Sequence, residues 1–167
     1  MSTWQLSSND GRNVSSWIVR GVLVSKRRRY VNTEVVLTGR HLDRAKWTQG
    51  EYALAKEYSI ILAQVLLSVR ELKELARALD RWLRTPIRDL ASTHLELSAD
   101  LGGVDGQEFS LAFAPGYGDA ATADHPMCHI AYRGASVAGE CSYMVDQSCI
   151  RLFVDGMKEA VWPRGGV

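Results

Sequence analysis

The chain has 167 residues, of which 46% are hydrophobic and 23% charged, and its formal net charge is +1. That length fits one domain able to bury its own core, and the balance excludes both a wholly disordered chain and a molecule basic throughout. Three cysteines exclude a disulfide-dense secreted scaffold.

Compartment and charge distribution follow from the same residues. The start, Met1 to Gln5, is polar and carries no targeting pattern. The most apolar run, Ile60 to Leu67, is broken by Gln64 and is far below the ~20 residues a membrane span needs. A cytoplasmic protein with reduced thiols is expected. The even total conceals an asymmetry. Residues 1–47 carry nine Lys/Arg against three Asp/Glu, and residues 48–167 carry eleven against sixteen. A charge dipole of this kind orients a molecule toward a charged partner.

Two β-branched and aromatic runs come first, Ser16–Val24 and Tyr30–Leu37. They predict a β-hairpin around the polar connection Ser25-Lys26-Arg27-Arg28-Arg29. Gly39 to Trp47 reads as a loop. The stretch Glu51 to Leu83 has two readings. One is a single helix from a capping box at Thr48 and Glu51, but at 1.5 Å per residue it would run roughly 50 Å. The other is preferred: a buried strand over Tyr58–Leu67, then a helix starting at Ser68. Ser68 and Glu71 form a second capping box, the hydroxyl taking a free N–H and the carboxylate reaching back to the Ser68 N–H. Val69, Leu72, Leu75, Ala76, Leu79, Trp82 and Leu83 then recur at spacings of three and four. Glu74–Arg77 and Asp80–Arg84 are spaced as surface pairs. Thr85-Pro86 stops the helix.

The second half alternates again. His94–Ala99 and Glu108–Phe113 predict a hairpin around Gly102–Gly106. A long loop follows, Pro115 to Pro126. Met127–Tyr132 and Glu140–Val145 predict two more strands around Gly134–Gly139. A short helix ends the pattern, capped by Asp146 or Ser148, with Ile150, Phe153, Met157 and Val161 on one face; Gly156 weakens it. Trp162-Pro163 closes it, and Arg164–Val167 reads as a loose tail. No internal repeat is visible. The expected fold is therefore α+β: a mainly antiparallel sheet of about seven strands, with two helices packed on one face.

Enzyme chemistry finds little support. His125, Cys128 and His129, followed by Cys141 and Cys149, resemble a zinc ligand set. No C-x-x-C pair exists, and neighbours on a strand point to opposite faces, so no metal site is assigned. Gly134-Ala135-Ser136-Val137-Ala138-Gly139 misses the nucleophile elbow by one residue, and Gly116-Tyr117-Gly118 lacks a third glycine and a following helix. No catalytic residue and no cofactor is assigned. The basic run Lys26–Arg29 beside Tyr30 fits a binding surface. Cations neutralise phosphates and aromatics stack bases, which keeps a nucleic-acid module open as the alternative, beside a small metal-dependent enzyme.

The order of elements from residue 58 to 161 resembles small immunity proteins of bacterial polymorphic-toxin loci, including the group paired with wall-associated toxins. The likeness rests on the helix Glu71–Leu79, the strands His94–Leu97 and Phe109–Phe113, the polar cap Asp146-Gln147-Ser148 and the helix Phe153–Met157. The long loop and the basic hairpin depart from that pattern. The resemblance implies a non-catalytic protein that blocks a toxin domain by occlusion. Strand edges allow a monomer or a homodimer, and the short apolar run leaves no membrane partner expected. Aromatics and arginines dominate binding hot spots, so Arg27, Arg28, Arg29, Tyr30 and Tyr117 are the expected partner-binding residues.

Overall fold

The computed structural model describes residues 2–40, 45–47, 57–84, 97–101, 107–114, 126–134 and 138–162. Among them nine strands and two helices form. In chain order they are β1 (Thr3–Ser7), β2 (Val14–Ser25), β3 (Arg28–Arg40), β4 (Ala45–Trp47), β5 (Glu57–Ser68), α1 (Val69–Leu83), β6 (Leu97–Asp100), β7 (Glu108–Ala114), β8 (Met127–Arg133), β9 (Ala138–Met144) and α2 (Gln147–Val161). All pairings are antiparallel. The α+β class is as the sequence predicts, but the strands divide into two sheets rather than one. Their orders are β1-β2-β3-β5 and β4-β9-β8-β7-β6.

Period-two alternation builds the inner faces. Trp4 and Leu6 of β1, Ser15 and Trp17 of β2, and Val31, Thr33, Val35 and Leu37 of β3 are buried. Phe109, Leu111 and Phe113 of β7, Cys128 and Ile130 of β8, and Cys141 and Tyr143 of β9 face the same core. Trp17 joins the layers. Its ring stacks on Trp4 at 5.9 Å, meets Phe109 edge-on at 6.5 Å and lies 5.3 Å from Phe153 of α2.

Two seams tie the sheets together. At one, the Ser68 N–H donates to the Leu101 carbonyl at 2.9 Å, and the Gln107 side-chain amide bonds the Gln64 carbonyl and the Leu66 N–H. That amide replaces a strand partner where β5 bulges, with Gln64 at φ +61°. At the other seam the Asn9 N–H donates to Met144 O at 3.0 Å. Beneath it the Tyr143 hydroxyl donates to Leu6 O at 2.7 Å and lies 2.8 Å from Ser15 Oγ, so the buried polar atoms satisfy one another.

The strand-then-helix reading of residues 58–83 is the observed one. Ser68 is the N-cap of α1, and its Oγ accepts from the Glu71 N–H at 3.3 Å. The reciprocal half of the capping box is absent, because the Ser68 N–H is already used in the seam. Asp146 caps α2 by accepting from the Cys149 N–H at 2.9 Å, while Ser148 donates its hydroxyl to the same carboxylate. The two helices pack on each other; α2 lies against β1, and α1 against β3, β5 and β6. Gly156 has a positive role here: a Cβ at this position would sit 2.9 Å from Trp4 Cβ. The expected surface pairs are rearranged. Glu74 meets Arg70 at 3.5 Å, and Asp80 meets Lys158 of α2 rather than Arg84.

Three expectations change. Thr3–Ser7 is a strand, although only Trp4 and Leu6 mark it. The loop expected from Gly39 to Trp47 holds the end of β3 and the three-residue β4, whose pairing of Trp47 with Gly139 no local pattern announces. The element order β-β-β-β-α also occurs twice, in Thr3–Leu83 (with β4 inserted) and in Leu97–Val161. The Thr48–Glu51 box, Thr85-Pro86, His94–Glu96, the Gly102–Gly106 turn, His125, Ser136 and the tail Arg164–Val167 lie outside the described residues, as does the loop from Pro115 to His125.

Candidate partner-binding surface

The β2–β3 hairpin positions the basic run. Ser25 pairs with Arg28, so the turn is only Lys26-Arg27. Both residues have positive φ, 48° and 64°. A two-residue turn of this hand follows the right-handed strand twist, and Asn-Gly is its preferred sequence because other side chains crowd the backbone there. Here two long cations take those places. Arg28 and Arg29 continue into β3, and Tyr30 pairs with Leu23 and Ser68.

β2 loses its cover at Gly21, while Val31, the β3 partner of Val22, stays buried. Between Val19 and Gly21 the register shifts, and Arg20 is the extra residue, bonded to Glu34 at 3.2 Å. Beyond this bulge the β2 side chains are wet. Val22 is 59% exposed, Leu23 42% and Val24 65%. Val22 and Val24 lie on one face of the ribbon and Leu23 on the other. Lys26, Arg27, Arg28 and Arg29 are exposed and Tyr30 is half-buried. Among the described residues none of these four cations has an ion-pair partner. The structure therefore brings four of the five expected binding residues together, while Tyr117 lies outside the described residues. The exposed aliphatic trio was invisible in the sequence, where Val22–Val24 reads as ordinary half-buried strand.

Among the described residues other chemistry-bearing groups form no comparable site. Cys128, Cys141 and Cys149 are all buried. Burial, then the neighbouring Cys141, pushes the Cys128 thiol well above its ordinary value, and burial also raises Cys149. Cys128 faces the core while its neighbour His129 faces outward. Among the described residues no three His, Cys, Asp or Glu side chains gather as metal ligands. On the outer face of the second sheet, His129 Nδ1 lies 2.6 Å from Ser142 Oγ, and its Nε2 lies 3.4 Å from Glu140. These residue types suit a nucleophilic relay, but His129 and Ser142 are a direct cross-strand pair on a half-exposed sheet face. Among the described residues no hydrogen-bond donors aimed at an oxyanion accompany them. Between the helices lies a cleft of about 790 Å³, lined by Lys73, Arg77, Asp80, Asp155, Lys158 and Trp162 among others. Its walls mix both signs, and Lys73 covers the Trp162 ring at 5.7 Å.

No protein-family model matches the chain, and no curated protein matches it. No helix among the described residues is long and apolar enough to cross a membrane.

Proposed function

We propose that this chain is a non-catalytic protein-binding domain. Its cationic hairpin engages an acidic surface of another protein, in the manner of an immunity protein occluding a bacterial toxin. One observation carries the reading: the hairpin joins four cations, without ion-pair partners among the described residues, to three exposed aliphatic side chains. The cations alone suit any polyanion. Val22, Leu23 and Val24 gain little from a phosphate backbone and leave water only against an apolar counter-surface. Opposite charge on the partner speeds encounter, and the apolar contacts hold the complex.

A nucleic-acid module is the second reading, supported by Tyr30 beside the four cations. One experiment separates the two. Wild type and an Arg27→Ser/Arg28→Ser/Arg29→Ser variant are used in parallel for affinity capture from lysate of the source organism. The expected result is one stoichiometric protein, held by wild type after nuclease treatment and lost by the variant. Its toxic activity is then blocked by added wild-type protein. Equal capture by both chains removes the hairpin from the interface, and material released by nuclease transfers the assignment to nucleic acid.

A further inference from the structure

We propose that the β2–β3 hairpin is an insertion device, held under backbone strain at its tip, that enters a cleft with carboxylates at its floor and apolar walls. This rests on the protein-partner reading above and specifies the partner's site. Two observations independent of sequence composition carry it.

The first is the turn. Lys26 and Arg27 stand at left-handed φ values that favour Asn and Gly. Non-glycine residues held there mark a backbone that the surroundings or a function keep under strain. Nothing in the core needs them: both side chains are exposed. What they achieve is placement. Together with Arg28 and Arg29 they put four consecutive positive charges at the most distant point of the ribbon, where Asn-Gly in the turn would leave two.

The second is the two-sidedness of the ribbon. Val22 and Val24 are exposed on one face and Leu23 on the opposite face. A ribbon lying on a flat surface would dry only one of them. Covering both takes two walls, hence a cleft. The order of chemistry along the ribbon, charge at the tip and aliphatic behind it, fixes the order in the partner: carboxylates deep, apolar surface toward the mouth. Nucleic-acid grooves reverse this order, with phosphates along the rims.

The test uses the intact protein with labelled probes followed by fluorescence anisotropy. The probes are an 18-residue peptide of repeating Glu-Glu-Leu, one of repeating Glu-Glu-Ser, and an 18-nucleotide single-stranded RNA. Wild type is expected to bind the Leu-containing peptide about tenfold more tightly than the Ser-containing one, and more tightly than the RNA. Val22→Ser/Val24→Ser removes the difference between the peptides, and Arg28→Ser/Arg29→Ser weakens both. Lys26→Asn/Arg27→Gly weakens both peptides while raising Tm by about 2–4 °C, as expected for relieving a strained turn in a chain of this size. A Tm that stays level or falls overturns the strain. Equal affinity for the two peptides, or none for either, overturns the apolar-walled carboxylate cleft while leaving the lysate experiment to judge the protein-partner reading. RNA bound more tightly than both peptides overturns that reading itself.

Discussion

The two β-β-β-β-α halves of this molecule differ most in strand length. β2, β3 and β5 have 12, 13 and 12 residues, whereas β7, β8 and β9 have 7 each. The helices that follow are alike. Each has 15 residues, and each is capped by a side-chain oxygen that accepts from the third helical N–H. Leu72, Leu75, Ala76 and Leu79 are buried in one at the places that Ile150, Phe153, Val154 and Met157 occupy in the other. Asp80 and Lys158 hold the same position in their helices and meet across the interface. The second half shows that seven residues per strand suffice for this core. The surplus in β2 and β3 is therefore available for other work, and it is there that Val22–Val24 and the cationic tip stand exposed.

The severest way to break the comparison is to remove what joins the halves. Trp17 of the first contacts Phe109 and Phe153 of the second. Trp17→Ala is expected to cost about 3–5 kcal/mol in urea unfolding, with both halves lost in one transition. Tyr143→Phe cuts one seam and leaves Leu6 O and Ser15 Oγ with one bond fewer. A loss of about 1–2 kcal/mol is expected by the same measurement.

The caps sharpen the comparison further. Ser68→Ala and Asp146→Ala should each cost about 1 kcal/mol at neutral pH. Only the second deficit should depend on pH. Burial works against the Asp146 charge, but bonds from Ser148 and Cys149 outweigh it and hold its pKa below the ordinary value. A carboxylate depressed in the folded state contributes fully above its unfolded pKa and loses that contribution as pH falls through the lower native value. Below about pH 4 the Asp146→Ala deficit should shrink toward zero, whereas that of Ser68→Ala should stay constant. The smallest effect belongs to Asp80–Lys158, whose side chains are 26% and 44% exposed. A double-mutant cycle should return about 0.3–1 kcal/mol, falling with salt.

Much of this architecture was legible wherever local chemistry decides it. Ser68 announced the start of α1 because a hydroxyl before a 3.6-residue apolar period has one economical use. The strand β7 was legible from its alternation, and β8 and β9 as a pair around Gly134–Gly139. What escaped was decided at long range. β4 exists through pairing with β9, the division into two sheets depends on how the strands pack, and Glu71 lost its capping partner to Leu101, a residue of the other half. The halves share topology and burial pattern but little sequence, so no repeat shows in the letters. At the binding surface, Arg27–Tyr30 were legible as cations beside an aromatic. Val22–Val24 were not, because the same β-branched residues serve a buried strand and an exposed ribbon equally well.

The packing of α2 on β1 has a consequence for the order in which the protein is made. β1 leaves the ribosome some 140 residues before α2, and at about 5–20 residues per second that gap lasts roughly 7–28 s. Trp4 and Trp17 reach their final neighbours only when Phe153 and Gly156 arrive. Until then β2 and β3 wait with an unfinished interior, and a chain cut before Gln147 lacks the helix that closes it.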